Sequence, residues 1–127
     1  MPNRHVLQPE GLMVPKSPYS SVITSGDLVF TAGQAPFDTA GNVVSEDFGE
    51  QTHQTLRNLS RCLQAAECGF GDVLKVTAFI TDPANFPAFN EVYRQYFSEP
   101  YPARTTVIAG LLGFKVEIEA IARKPSR

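Results

Sequence analysis

Lys115-Val116-Glu117-Ile118-Glu119-Ala120-Ile121-Ala122 is the stretch from which the fold is read. Its alternation makes a strand with Val116, Ile118, Ala120 and Ala122 on one face. Glu117 and Glu119 lie on the other face, with Ile121 beside them. The first face belongs to a core. The second is half apolar and half acidic. A little upstream, Tyr101-Pro102-Ala103-Arg104-Thr105-Thr106-Val107 carries two prolines that hold the backbone extended. Thr105-Thr106-Val107-Ile108 reads as another strand. Arg104 therefore stands where a stiff loop enters a strand and presents a planar fork of donors suited to gripping a carboxylate at two points. On neighbouring strands, Arg104 and Glu117 would form a constellation for chemistry on a small acid. The alternative is a salt bridge across a sheet edge, which says little about function.

Working outward, Asp72 to Thr81 contains a strand that is apolar on both faces, as expected of a central one. Asp82 or Asn85 caps a second helix over about Phe86 to Phe97, with Pro87 tolerated in its first turn. Phe86, Phe89, Val92 (or Tyr93) and Tyr96 recur along it at helical spacing and read as core. The first helix runs from about Phe48 to Glu67, capped by Asp47 or Ser45 and stopped by Gly69. Leu56, Leu59, Leu63 and Ala66 form its buried stripe; His53 lies off that stripe and reads as a surface residue. Nearer the start, Ser21 to Thr24 and Leu28 to Ala32 flank Ser25-Gly26-Asp27, a hairpin signal. His5 to Leu7 is a short edge strand and residues 8 to 20 a loop. Gly33 closes the hairpin, either admitting a ligand or another backbone, or making a simple bend. Val43-Val44 is a short strand at most.

The resulting order is β-β-α-β-α-β-β with an added edge strand. It predicts one α+β domain over residues 1–127, a mixed sheet with both helices on one face. The other face stays open, and a half-apolar open face predicts burial against further copies of the chain.

Composition narrows the function classes. The 127 residues carry a formal net charge of -2 and no long basic run, which argues against a nucleic-acid surface. No apolar run reaches membrane-spanning length, and the expected compartment is the cytosol. Cys62 and Cys68, six residues apart, point to different sides of a helix, so no internal disulfide is expected. His5 and His53 have no metal-ligand spacing.

Taken together, Ser17-Pro18-Tyr19-Ser20, Gly26 to Gln34, Gln51-Thr52, Asn58-Leu59, Val76 to Asp82, Phe89 to Tyr93, Phe97, Tyr101-Pro102-Ala103-Arg104 and Val116 to Ala122 resemble the RidA family (YjgF/YER057c/UK114), the reactive-intermediate deaminases. The likeness runs from about Ser17 to Arg123. It implies a chorismate-mutase-like fold and a homotrimeric barrel with ligand clefts between subunits. It also implies hydrolysis of 2-iminobutanoate- or 2-iminopropanoate-type enamines and imines to 2-keto acids and ammonia, in the service of pyridoxal-phosphate enzymes. By position, Arg104 matches the carboxylate anchor and Glu117 the acidic group near the attacking water. Tyr19, Gly33 and Asn90 match cleft positions. Ala32 stands where many deaminases have serine, and Thr106, a further substrate-side position, where many have cysteine. No metal or covalent cofactor is required by this chemistry. The rival readings are a non-catalytic module that binds or senses small carboxylates, and, further off, a ribonuclease or translation inhibitor.

Overall fold

The computed structural model describes residues 3–126. Six strands form one sheet: β1 (Arg4–Leu7), β2 (Val22–Ser25), β3 (Leu28–Thr31), β4 (Val73–Ile80), β5 (Ala103–Ile108) and β6 (Val116–Arg123). Their order across the sheet is β1-β2-β3-β6-β4-β5. Every pairing is antiparallel except β4 with β5, which is parallel. Two helices, α1 (Phe48–Ala65) and α2 (Phe86–Tyr93), cover one face.

β2 and β3 pair with Ser25 opposite Leu28, so Gly26 and Asp27 alone turn the chain, and Gly26 takes φ 59°, where a side chain would be strained. The alternation of β6 sorts its residues as expected. Val116, Ile118, Ala120 and Ala122 are buried with Leu56, Leu59 and Leu63 of α1 and Phe89, Val92 and Tyr93 of α2. Burying each of those leucines is worth about 1.5–3 kcal/mol, so the stripe carries much of the attachment of α1 to the sheet.

The start of α1 uses both expected capping residues. Asp47 Oδ2 accepts from the Glu50 amide at 2.9 Å, while Ser45 Oγ accepts from the Asp47 amide at 3.0 Å and donates to Glu50 Oε2 at 3.0 Å. Its end differs from the reading in which Gly69 stops the helix. The left-handed residue is Glu67, at φ 61°. The Cys68 amide reaches back to the Leu63 carbonyl at 2.8 Å and the Glu67 amide to that of Gln64 at 3.0 Å. This is a Schellman closure made with a side-chain-bearing residue where glycine is usual. α2 is shorter than expected. Asp82 caps a preceding turn of 3₁₀ helix over Pro83–Asn85, and regular α geometry stops at Tyr93. His53 is not simply a surface residue, because its Nδ1 lies 2.8 Å from Tyr96 Oη and ties α1 to the chain beyond α2.

The face away from the helices carries Ile23, Phe30, Ile121, Phe79 and Val107 beside Glu117, Glu119, Thr77 and Lys75. No helix or strand among the described residues covers it. Both cysteines are buried. No helix among the described residues is long and apolar enough to cross a membrane.

Candidate functional site

The topology separates what the sequence put side by side. Arg104 and Glu117 are not on neighbouring strands, because β4 runs between β5 and β6. Arg104 is in register with Val76, on the helix side of the sheet, whereas Glu117 is in register with Phe79, on the open side. Two strand spacings and three residues of offset put their Cα atoms about 14 Å apart, with side chains on opposite faces. A salt bridge between them within one chain is thereby excluded, and so is a shared site within one chain. The spacing rules could not reveal this, since the crossover that makes β5 pair in parallel with β4 leaves no mark in either strand's alternation.

Arg104 is held by aromatic rings. Its Cζ lies 4.7 Å from the ring centroid of Tyr93, 5.5 Å from that of Phe89 and 5.7 Å from that of Phe86. Each such contact is worth about 0.5–2 kcal/mol and fixes the guanidinium plane. Among the described residues it makes no salt bridge. Its charge is therefore balanced by no carboxylate among them. Arg104 lines a cleft of about 250 Å³ with Asn90, Tyr93, Arg94, Tyr101 and Pro102. Tyr93 Oη is buried there, close to the Arg104 guanidinium, and its hydroxyl has no acceptor among the described residues. Burial pushes the Tyr93 phenol up to about 12, with the Arg104 charge opposing the rise, so the group is a neutral donor at physiological pH. Of the stripe read from the sequence as core, Phe89, Val92 and Tyr93 are core, Tyr96 is half-buried against it and Phe86 is exposed; Phe86, Phe89 and Tyr93 are also the cradle of the arginine. The spacing of Phe89 and Tyr93 on one helix face shows the first role openly, whereas Phe86 at the helix start serves only the second. The second depended on the parallel register.

Glu117 lines a second cleft, of about 500 Å³, with Tyr19, Gly33, Ala32, Phe37, Leu112 and Phe114 among its walls. Gly33 is what lets the carboxylate sit where it does. A Cβ built on Gly33 would overlap Glu117 Oε2 and stand 2.8 Å from Cδ and 3.0 Å from Cγ. The close approach expected at this glycine is therefore made by a side chain of the same chain, rather than by a backbone. Burial, and then the charge of Glu119, raise the Glu117 carboxyl above its ordinary value of 4.5. Such a group is a better proton acceptor than an exposed glutamate.

Buried amides hold the wall of this cleft. Asn58 Nδ2 donates to the carbonyls of Ala35 and Phe37, both at 2.9 Å. Gln34 pairs with Ile118 through both its amide and its carbonyl, at 2.8 and 3.0 Å, docking the segment after β3 onto β6. Gln51, fully buried, accepts from the Lys115 amide at 2.9 Å and donates to the Ser45 carbonyl at 2.8 Å. Polar residues on the buried side of α1 are the signal by which the sequence could have marked them as positioning groups.

Of the expected site residues, Arg104 and Asn90 share the first cleft, and Tyr19, Gly33 and Glu117 the second. Thr106 is half-buried in register with Ala78, on the Arg104 side of the sheet, and lines neither. Among the described residues no cluster of three or more His, Cys, Asp or Glu could hold a metal ion.

The chain matches the family described as Endoribonuclease L-PSP over residues 12–124. A RutC family protein of Pyrococcus horikoshii is 41% identical over 124 residues, covering 95% of this chain and 98% of that protein. The human 2-iminobutanoate/2-iminopropanoate deaminase is 36% identical over 108 residues, covering 83% of this chain and 79% of its own. The crystal structure of E. coli TdcF with bound serine aligns with a TM-score of 0.87 at 35% identity, covering 95% of this chain and 99% of that one. Likeness of this extent, in sequence and in fold, places the chain in the RidA family, the group described as Endoribonuclease L-PSP.

Proposed function

We propose that this protein is a cytosolic hydrolytic deaminase of reactive 2-imino acids, the iminobutanoate and iminopropanoate type included. In this reading it works as a homotrimer whose active sites lie between subunits, on products released by pyridoxal-phosphate enzymes. One observation carries the reading: Arg104 is fixed by three aromatic rings and paired with no carboxylate among the described residues, facing a cleft that also holds the buried phenol of Tyr93. A ligand carboxylate satisfies both groups at once. The open sheet face and the separation of Arg104 from Glu117 support the assembly, because a second copy brings the two clefts together where one chain cannot.

The reaction needs little. A protonated imine of a 2-keto acid is already electrophilic at carbon. Arg104 holds the carboxylate and orients the carbon. Glu117 takes a proton from water as its oxygen bonds to that carbon, and the C=N π electrons pass to nitrogen. Glu117 then returns the proton to nitrogen. The hydroxyl then passes its own proton to Glu117 as C=O forms and the C–N bond breaks, giving the 2-keto acid and ammonia, which takes the proton from Glu117 and leaves as ammonium. No cofactor enters this balance. Deaminase-named relatives at 36–39% identity support the same chemistry. A small-carboxylate sensor that does not turn over is the second reading, favoured by Ala32, which offers no hydroxyl beside Gly33.

Complementation tests both the site and its position. At imine concentrations far below KM, the Arg104→Ala and Glu117→Gln proteins are each expected to be nearly inactive in an assay that generates an imine with an amino-acid oxidase and traps it with semicarbazide. Co-refolded in equal amounts, they should regain about a quarter of wild-type activity, since each intersubunit site draws Arg104 and Glu117 independently from two chains. No regained activity, with mixed trimers verified by mass, would refute a site shared between subunits. A wild-type protein that diverts no imine would refute the deaminase reading.

A further inference from the structure

The Glu117 cleft is walled by carbon on most sides. Met13, Tyr19, Phe37, Leu112 and Phe114 line it, and Lys16 and Ser17 are its other polar residues besides Glu117. Phe37 and Phe114 meet edge to face at 5.4 Å and form a firm floor. Leu112 is 92% exposed, yet it belongs to this wall. It rides on a short loop between Gly110 and Gly113, and Gly113 takes φ 90°. Neither glycine has a neighbour within reach of a Cβ, so the loop holds its leucine out from the body of the protein.

In any imine bound with its carboxylate on Arg104, the side chain is one bond from the carbon that water attacks. It therefore lies next to Glu117, against these walls. A methyl group, about the size of a water at roughly 30 Å³, can cover little of this apolar wall, whereas a larger apolar side chain covers more of it. Among the described residues Lys16 is the one cation of the lining, and an acidic side chain that reached it would also face Glu117.

We infer that the cleft selects imino acids with branched or aromatic apolar side chains of four or more carbons over those with a methyl group, and that Leu112 is a specificity-determining residue that closes on that side chain. The inference rests on the imine-hydrolysis reading and narrows its substrate class. Each methylene removed from water favours binding by roughly fourfold. Three extra carbons, incompletely buried in an open cleft, should give about tenfold or more.

The test is kcat/KM on imines made in situ from L-leucine, L-phenylalanine and L-alanine by an amino-acid oxidase, with semicarbazide as competing trap. The leucine- and phenylalanine-derived imines should exceed the alanine-derived one by about tenfold or more. Leu112→Ser, at an exposed position that the fold does not need, should lower the leucine-to-alanine ratio by at least about fivefold. A ratio at or below one in the wild type would overturn the substrate class while leaving imine hydrolysis standing. An unchanged ratio in Leu112→Ser would overturn the role of this loop. Hydrolysis of none of the three would remove the deaminase reading and this inference together.

Discussion

Replacing Gly33 by alanine should separate activity from stability. The backbone at Gly33 is outside the left-handed region, so alanine fits it without strain. The new methyl instead meets Glu117, at 2.8 Å from Cδ and 3.0 Å from Cγ, where ordinary contacts begin at 3.4 Å. Cδ must retreat by about 0.6 Å and the carboxylate oxygen by about 1 Å. The moving group is the far end of a half-buried side chain, so it can swing aside at low cost to the fold. Alanine also narrows the unfolded ensemble by about 0.4–1 kcal/mol, which should leave Tm unchanged or slightly raised. Catalysis has no such latitude. A misplacement of about 1 Å can cost about a hundredfold in rate, so kcat should fall by between about tenfold and a hundredfold. KM should change little, because the carboxylate anchor Arg104 lies in the other cleft. Steady-state kinetics with trapped imine, alongside a thermal melt, measures both. Wild-type kcat in a folded Gly33→Ala protein would refute the placing of the reacting water by Glu117. A Tm lowered by many degrees would refute the claim that only Glu117 must move.

Further outcomes follow from the geometry of the site and of the fold. Arg104→Ala should raise KM far more than it lowers kcat, because the carboxylate is present in substrate and transition state alike, and Arg104→Lys should rescue little, since ammonium neither forks nor stacks on Tyr93; titration of both variants checks this. Glu117→Gln should cut kcat by about a hundredfold to ten-thousandfold, whereas Glu119→Gln should shift the acidic limb of the pH–rate profile to lower pH by removing a charge that raises the Glu117 carboxyl. The sign for stability is the reverse of activity: a raised carboxyl binds its proton more tightly when folded, so ionised Glu117 lowers stability above its unfolded value of 4.5. Glu117→Gln should thus melt higher than wild type at pH 7, with the gain vanishing below that value. Lastly, Glu67→Gly should stabilise the fold by about 0.5–1 kcal/mol, because it relieves a left-handed backbone at φ 61°; chemical denaturation measures it.

What the sequence could say about this molecule depended on range. Alternation in Val116–Ala122 and the Leu56-Leu59-Leu63 stripe reflect local geometry, and both sorted residues correctly onto one core. Where a neighbouring element decides, the reading failed. Arg104 and Glu117 were paired across strands that β4 separates, because strand order is set by crossovers that strand residues do not encode. Composition points to Gly69 as the helix stop, because glycine is the cheaper left-handed residue. Glu67 takes that place because the Leu63 and Gln64 carbonyls find their donors there. Tyr93 gave only its apolar role, since the guanidinium that lies over it comes from the parallel strand.

β6 follows all five other strands in the chain, yet it stands inside the sheet between β3 and β4. Val29 therefore finds its partner at Ala122, more than ninety positions later. During synthesis, at about 5–20 residues per second, the β1-β2-β3 strands must wait about five seconds or more for β6, and the β4-β5 pair about one to three, as separate pieces. In that interval β3 and β4 each show an unpaired edge, and Phe79 and Val107 lie bare on a flank no helix covers. Such edges are templates for pairing with the wrong strand. Cellular yield of this protein should then respond to chaperone supply and to the speed of translating its last quarter. Substitutions in β6 should harm accumulation more than equally buried ones in β1.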